Sequence, residues 1–412
     1  MISFLKAGLL PVCKPGLSFF SLLLLLICLS GCAGQLEKAR KSFYNDQPEQ
    51  ALEILQEGDS LGNRNRLLSL MEQGVILHQL GRYQESTKVL LDAAAMVRKL
   101  EMISASEQLG SLVTSEWLTQ YRGEYSERLW IHSYLMMNFL LLGQSDGALV
   151  EAKQALEILG KYPDALKGDY FTRGLIALCF SQSREDNDAF LVYRKLADDL
   201  PTAEPVAADL VQIASRLGMI DEVEHYRSAL PKTLPSGDAE LVLFIAAGRI
   251  PQKRPGNVVL PPSIRFSFPY YPQTPSLQLS DPAILPSYAA LPPLTADFAA
   301  LVRQSLQDRK VRIIAKETAR VAAKEALSQA AGRRGGDDAE ALLRLTLFLL
   351  EEPDTRSWST LPASMMLLRI PLPAGSHRLQ LQVSTCGHGR KQIKLPEFQM
   401  HAGQRVFYSL RF

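Results

Sequence analysis

The sequence predicts an α + β multidomain protein: a helical repeat array, then a proline-rich connector, a second helical segment and a small antiparallel β domain. Three observations carry that prediction. From Gln35 to Leu230 apolar residues recur at helical spacing between short polar turns. Between Pro251 and Pro293 stand 11 of the chain's 24 prolines, which excludes a long helix and confines strands to edges or short pieces. From Met365 onward the period shifts to apolar–polar alternation. The expected segments are 1–31, 32–235, 236–294, 295–353 and 354–412. The 412 residues, 47% apolar, suffice for several cores. With 45 Lys and Arg against 43 Asp and Glu, a net charge of only +2 offers little to displace phosphate counterions, so a nucleic-acid partner is not expected. Five cysteines are too few for a disulfide scaffold of this length.

Residues 1–31 read as an export signal. Lys6 and Lys14 are their only charges, and the apolar block from Leu17 to Leu29 is short for a membrane span and runs directly into small residues. Leu29-Ser30-Gly31-Cys32 resembles the bacterial lipobox. That resemblance implies cleavage before Cys32, acylation of its sulfur, and stable anchoring by several acyl chains. Ala33 and Gly34 lack the Asp of the inner-membrane retention signal, so the implied destination is the periplasmic face of the outer membrane. The alternative is an ordinary signal peptide or membrane anchor, with Cys32 an incidental thiol. Cleavage removes Cys13 and Cys28 and leaves Cys179 and Cys386, read as isolated thiols rather than a pair. It also removes both leader lysines, leaving 43 bases against 43 acids. Recognition must then come from local patches and shape.

Within the helical array one phrase recurs: a helix, a Gly-x-aromatic turn, and a small residue five positions after the Gly, opening a second helix. Gly81-Arg82-Tyr83 with Ser86 is the clearest copy, preceded by Gly74 and Leu77. Gly143 with Ala148 is a second; a third, at Ala189, lacks the turn Gly, and weaker copies fall at Ala51 and at Gly218 to Val223. The anchors Ala51, Ser86, Ala148, Ala189 and Val223 are spaced 35, 62, 41 and 34 residues apart. The shortest spacing resembles the tetratricopeptide repeat, which implies an α-solenoid with an inserted segment in the 62-residue interval. An irregular helical bundle has the same periodicity. The insertion carries Trp117, Tyr121, Arg122, Tyr125, Glu127, Arg128 and Trp130. Aromatics interleaved with charge suit an interface hot spot, so Trp117, Tyr121, Arg122 and Tyr125 are the candidate partner face. The alternative is a turn pinned by aromatics and local ion pairs.

Beyond it, Leu241 to Ile245 is a continuous apolar run that reads as a buried strand, and Asn257 to Leu260 and Ser263 to Tyr271 read as short strands. A helix is expected from Ala296 to Ala331, broken at Gly332 to Gly336, with Asp337 or Asp338 capping a further helix to about Glu351. Four strand-like runs follow, Met365–Pro371, Arg378–Ser384, Arg390–Leu395 and Arg405–Arg411, and a sandwich of meandering hairpins fits them. The stretch from Leu372 to Leu379 resembles periplasmic PEGA-type domains.

The whole mature chain resembles a family of uncharacterised bacterial lipoproteins with tetratricopeptide-like repeats. Tyr121 to Glu124 with Glu127-Arg128, Gly143 to Ala152, the set Gly248, Pro251 and Lys253, and the phrase from Asp354 through Arg356 and Trp358 to Pro362 carry the resemblance. It implies a fold and a compartment but no activity. Asp354 and Arg356 read as a hydrogen-bonded pair fixing a helix-to-strand junction, with Trp358 as a core plug.

No catalytic or cofactor motif is found. The histidines are scattered, no Cys-x-x-Cys pair exists, and nucleophile-elbow, P-loop and dinucleotide fingerprints are absent; no metal or cofactor is expected, with Cys386 and His388 as the one conceivable metal pair. The leading expectation is a non-enzymatic, outer-membrane-anchored scaffold whose solenoid binds a periplasmic or outer-membrane protein in envelope assembly or regulation. Two alternatives are glycan or peptidoglycan binding, which requires Phe398, Phe407 and Tyr408 exposed on one sheet face, and a cryptic hydrolase, which requires ionisable side chains converging in one cleft.

Overall fold

A computed structural model describes residues 34–57, 62–106, 120–231, 237–260, 264–273, 282–349, 352–385 and 389–412. Cys32, Trp117, Cys386 and His388 lie outside the described residues. The chain divides into two compact units, residues 1–62 and 63–412.

In the first unit, helix α1 (34–44) turns into α2 (Pro48–Glu57). The turn residue Asp46 has φ 62°, and Ala51 of α2 is fully buried.

The second unit opens with α3 (Gly62–Gln79), α4 (Tyr83–Ser106), α5 (Tyr125–Leu141), α6 (Ser145–Lys161), the single turn α7 (Pro163–Leu166), α8 (Tyr170–Gln182), α9 (Asp186–Asp199), α10 (Glu204–Leu217) and α11 (Ile220–Arg227). Its helix pairs are joined by one recurring turn. Gly81, Gly143, Arg184 and Gly218 all take left-handed backbone, with φ between 60° and 73°. The next N–H then reaches back to a carbonyl of the finished helix: Arg82 to Leu77, Gln144 to Phe139, Glu185 to Phe180 and Met219 to Ala214. This is the Schellman closure of a helix end. Gln47 donates to Ser42 in the same way after Asp46. Ser86, Ala148 and Ala189, each five residues past the left-handed position, are fully buried. Contact there is close: Ser86 Oγ donates to the Gly74 carbonyl at 2.7 Å, and a Cβ on Gly74 would stand 2.3 Å from Leu90.

The strands are β1 (Ala239–Ala247), β2 (Arg254–Leu260), β3 (Ile264–Tyr270), β4 (Ala283–Leu285) and β5 (Leu294–Asp297). Helices α12 (Phe298–Gly335) and α13 (Asp337–Leu349) follow, and then β6 (Ser364–Leu372), β7 (Gly375–His377), β8 (Gln380–Thr385), β9 (Gly389–Lys394), β10 (Phe398–Met400) and β11 (Arg405–Arg411). The main sheet has the order β11-β1-β6-β5. β1 runs parallel to β11, with Leu241 opposite Val406, and antiparallel to β6.

This topology corrects two expectations. The β-rich end is a mixed sheet with smaller sheets around it, not a sandwich of meandering hairpins. Nor do residues 236–294 and 354–412 form separate domains, since β1 and β5 complete the sheet of β6 and β11. The physical reason lies in Leu241 to Ile245, fully buried on both faces, as a central strand must be. On one face Leu241, Leu243 and Ile245 join Met366, Leu368 and Ile370 in a core closed by Leu381 and Met400 of the small sheets and by Leu395 just after β9. The opposite face packs on helices: Phe244 meets Phe171 of α8 edge to face, with centroids 6.4 Å apart. Gly174 lets α8 approach, because a Cβ there would stand 2.3 Å from Leu294 of β5. The leading helices α5 and α8 are therefore buried along nearly their whole lengths, with β11 against α5 and β5 and β6 against α8.

Candidate functional site

Residues of the family-like phrases converge on one buried cluster. Gly123, with φ 72°, turns the chain so that Glu124 caps α5. The Glu124 N–H donates to Glu127 Oε2 at 2.8 Å, closing a capping box. Glu124 receives Lys253 Nζ at 2.7 Å, from the loop after β1, and Arg309 from α12. Glu127 also accepts the Tyr121 hydroxyl and the Trp358 N–H, the latter at 2.7 Å. Glu72 of α3 accepts the N–H groups of Ser359 and Thr360, each at 3.0 Å. Asp354 and Arg356 pair at 2.7 Å, and Arg356 also donates to the Arg64 carbonyl at 3.1 Å. Trp358 is fully buried. Gly248 ends β1 with φ 69°, and Pro251 is buried beside Lys253.

The electrostatics follow from burial and pairing. Burial alone would raise Glu124, but Lys253 and Arg309 overcome it and hold the carboxyl at about 2. Burial lowers Lys253, yet Glu124 reverses the sign and the ammonium is stabilised. Glu127 is pushed up by burial, partly offset by Lys253. Burial, with Glu127 and Glu124 adding, keeps the Tyr121 phenol protonated, as its role as donor requires. These carboxylates are engaged by neighbours, so the cluster joins loops rather than meeting solutes.

The expected partner face is thereby corrected. Tyr121 is 3% exposed and lies under Arg356, while Tyr125 is 8% exposed and stacks on Tyr162 with centroids 3.7 Å apart. Of that face Arg122 is exposed. The rings are buried because Tyr162, Arg309 of α12 and Arg356 of the loop before β6 close over them. No sign of Arg309 or Glu72 stands in the sequence; nothing distinguishes Arg309 from the other bases of its Ala- and Arg-rich helix. The three aromatics of the glycan reading do not share one exposed sheet face, since Phe398 is buried and the neighbouring strand residues Phe407 and Tyr408, both half-buried, point to opposite faces. Phe407 stacks on Phe244 at 6.0 Å, and Tyr408 packs on Phe398 at 5.7 Å.

What the molecule does expose is a helical arm. α12 has 38 residues, about 57 Å at 1.5 Å per residue, and α13 packs along it. Val311 and Ile314 share one face of α12, Leu342 and Leu345 one face of α13. All four are exposed, Val311 at 80% and Leu342 at 67%. Among the described residues no helix is long and apolar enough to cross a membrane. None of them forms a group of three or more His, Cys, Asp and Glu suited to a metal ion.

No protein-family model matches the chain, and no curated protein matches it. Among solved structures it is similar to MamA, residues 41 to the end, from Desulfovibrio magneticus RS-1, at 15% identity, covering 48% of this chain and 91% of that one, with a TM-score of 0.33. A MamA RS-1 double mutant gives 14% identity over 48% of this chain and 92% of that one, with a TM-score of 0.34. A putative kinesin light chain from Podosopora anserina, with nearly identical TPR-like repeats, gives 18% identity, 48% and 92% coverage, and a TM-score of 0.33. The helix pairs themselves are TPR-like on the chain's own geometry, through the left-handed turn and the small residue five positions on.

Proposed function

We propose that this protein is a protein-interaction scaffold of the bacterial envelope, anchored to the outer membrane by acyl chains on Cys32 and facing the periplasm, where it serves envelope assembly or regulation. The observation that carries the scaffold reading is the α12–α13 arm, whose Val311, Ile314, Leu342 and Leu345 stand in water. Apolar rows at i, i+3 on exposed helices are what helix-reading partners bury. The mature chain's balanced charge leaves shape and apolar contact to do the recognition. The lipobox-like Leu29 to Cys32 supports the anchor.

Photo-crosslinkers placed at Val311 and Leu342 test the arm, with exposed Lys88 of α4 as control. One discrete adduct from the arm positions, lost in Val311→Asp with Leu342→Asp, is the expected result. Equal adducts from Lys88 would sink the assignment. Cys32→Ser should abolish palmitate incorporation and release the protein from the outer-membrane fraction; retention there would overturn the anchor.

A further inference from the structure

A second polar chain lies apart from the buried cluster, where α3, α5 and β11 meet. Ser409 Oγ and His78 Nε2 are 2.7 Å apart. His78 Nδ1 and Asn138 Oδ1 are 2.6 Å apart, and Asn138 Nδ2 donates to Ser86 Oγ at 2.8 Å. Ser86 in turn donates to the Gly74 carbonyl. A carbonyl only accepts, so this order fixes every proton. Ser86 spends its hydrogen on Gly74 and accepts from the Asn138 amide. The Asn138 oxygen therefore faces Nδ1, which must carry a proton. In the neutral ring Nε2 is then a bare acceptor, and the Ser409 hydroxyl points its proton at it. This is the donor order of a hydroxyl nucleophile, its imidazole base and an orienting amide.

Two further features separate this chain from a merely satisfied core. Ser409 and His78 both border a cavity of about 270 Å³, walled by Tyr83, Tyr134 and Leu410 and reached by Arg411. Ser409 also belongs to the strand at one end of the main sheet. Residues 404 and 412 make ladder bonds to β1, so by alternation the Ser409 N–H points away from β1 and is not used in that ladder.

We propose that Ser409 is a nucleophile for acyl transfer from a small, largely apolar carboxylic ester, with His78 as its general base and Asn138 as the residue that positions the ring. The Ser409 oxygen attacks the ester carbonyl while its proton passes to His78 Nε2. The tetrahedral species collapses, the C–O bond to the alcohol breaks, and Nε2 returns the proton to the leaving alcohol. Water then repeats the sequence on the acyl-serine, releasing the carboxylic acid and restoring Ser409. The cavity is at the small end for ligand sites, which limits the acyl group. Burial, opposed by the Asn138 hydrogen bond and assisted by the Arg411 charge, lowers His78 to about 4. The ring is thus neutral and able to accept a proton at physiological pH, although as a weak base. This site is independent of the scaffold reading.

The test is a fluorophosphonate probe on the full chain in detergent, read by intact mass and peptide mapping. The expected result is one adduct per chain, on Ser409, lost in Ser409→Ala and slowed about a hundredfold in His78→Gln. Asn138→Asp puts a carboxylate beside the imidazole, so the acidic limb of the labelling rate should move to higher pH. A role confined to packing would leave that limb in place. An unlabelled Ser409 in the folded protein overturns the proposal, as does labelling unaffected by His78→Gln. Should His78→Gln fail to fold, an unmoved limb in Asn138→Asp is the overturning result.

Discussion

Lys253 joins parts of the second unit that lie 129 positions apart. Its side chain is 2% exposed, with Glu124 at 2.7 Å and the Tyr271 ring at 5.8 Å. Lys253→Met should destabilise the protein by about 3–5 kcal/mol, because a buried carboxylate loses its partner, and thermal melting reads this directly. Acid should act in two stages. Raising a folded carboxyl's affinity for its charged form, as at Glu124, contributes stability present above its ordinary value of 4.5 and lost as pH falls toward about 2. His78 is neutral when folded, so its share is lost earlier, as pH falls from 6.5 toward about 4, and amounts to about 3 kcal/mol. Denaturant unfolding at pH 7, 5 and 3 should show both stages, and His78→Gln should remove the upper one. Such residues were only half readable in advance. Tyr121, Glu124, Lys253, Asp354 and Trp358 stood out as phrases, but aromatics beside charges read alike whether they face water or each other. The difference is made by Arg309 and Glu72, which carry no local mark.

At the scale of elements, the turns decided the helices. Gly81, Gly143 and Gly218 announced left-handed backbone because an L side chain is strained there. Asp46 and Arg184 take the same conformation without announcing it, held by the bonds of Gln47 to Ser42 and Glu185 to Phe180. Gly143→Ala should therefore cost about 1 kcal/mol, whereas Arg184→Gly should be neutral to stabilising by up to about 1 kcal/mol. Opposite results from the two melts would show that the third turn is shaped by something other than this closure. Ala189→Leu, overfilling a contact between paired helices, should cost about 1–3 kcal/mol.

Across the whole molecule, each main strand was visible singly and their order was not. Leu241 to Ile245 read as buried, but no local pattern says that its parallel neighbour is β11. The Arg405–Glu240 hydrogen bond spans 165 positions. Fragments should behave accordingly. Residues 354–412 made alone lack β1 and should give poorly dispersed amide resonances, while residues 63–235 alone should aggregate through the uncovered faces of α5 and α8. A well-dispersed spectrum from either would show an autonomous domain. The parallel pair of β1 and β11 also sets a timetable. Synthesis delivers α5 and α8 long before residues 405–411, and local helices assemble faster than distant strand pairs. A chain emerging amino end first must hold its helices half-dressed until β11 arrives, so its most aggregation-exposed interval falls between the appearance of α5 and the appearance of that strand.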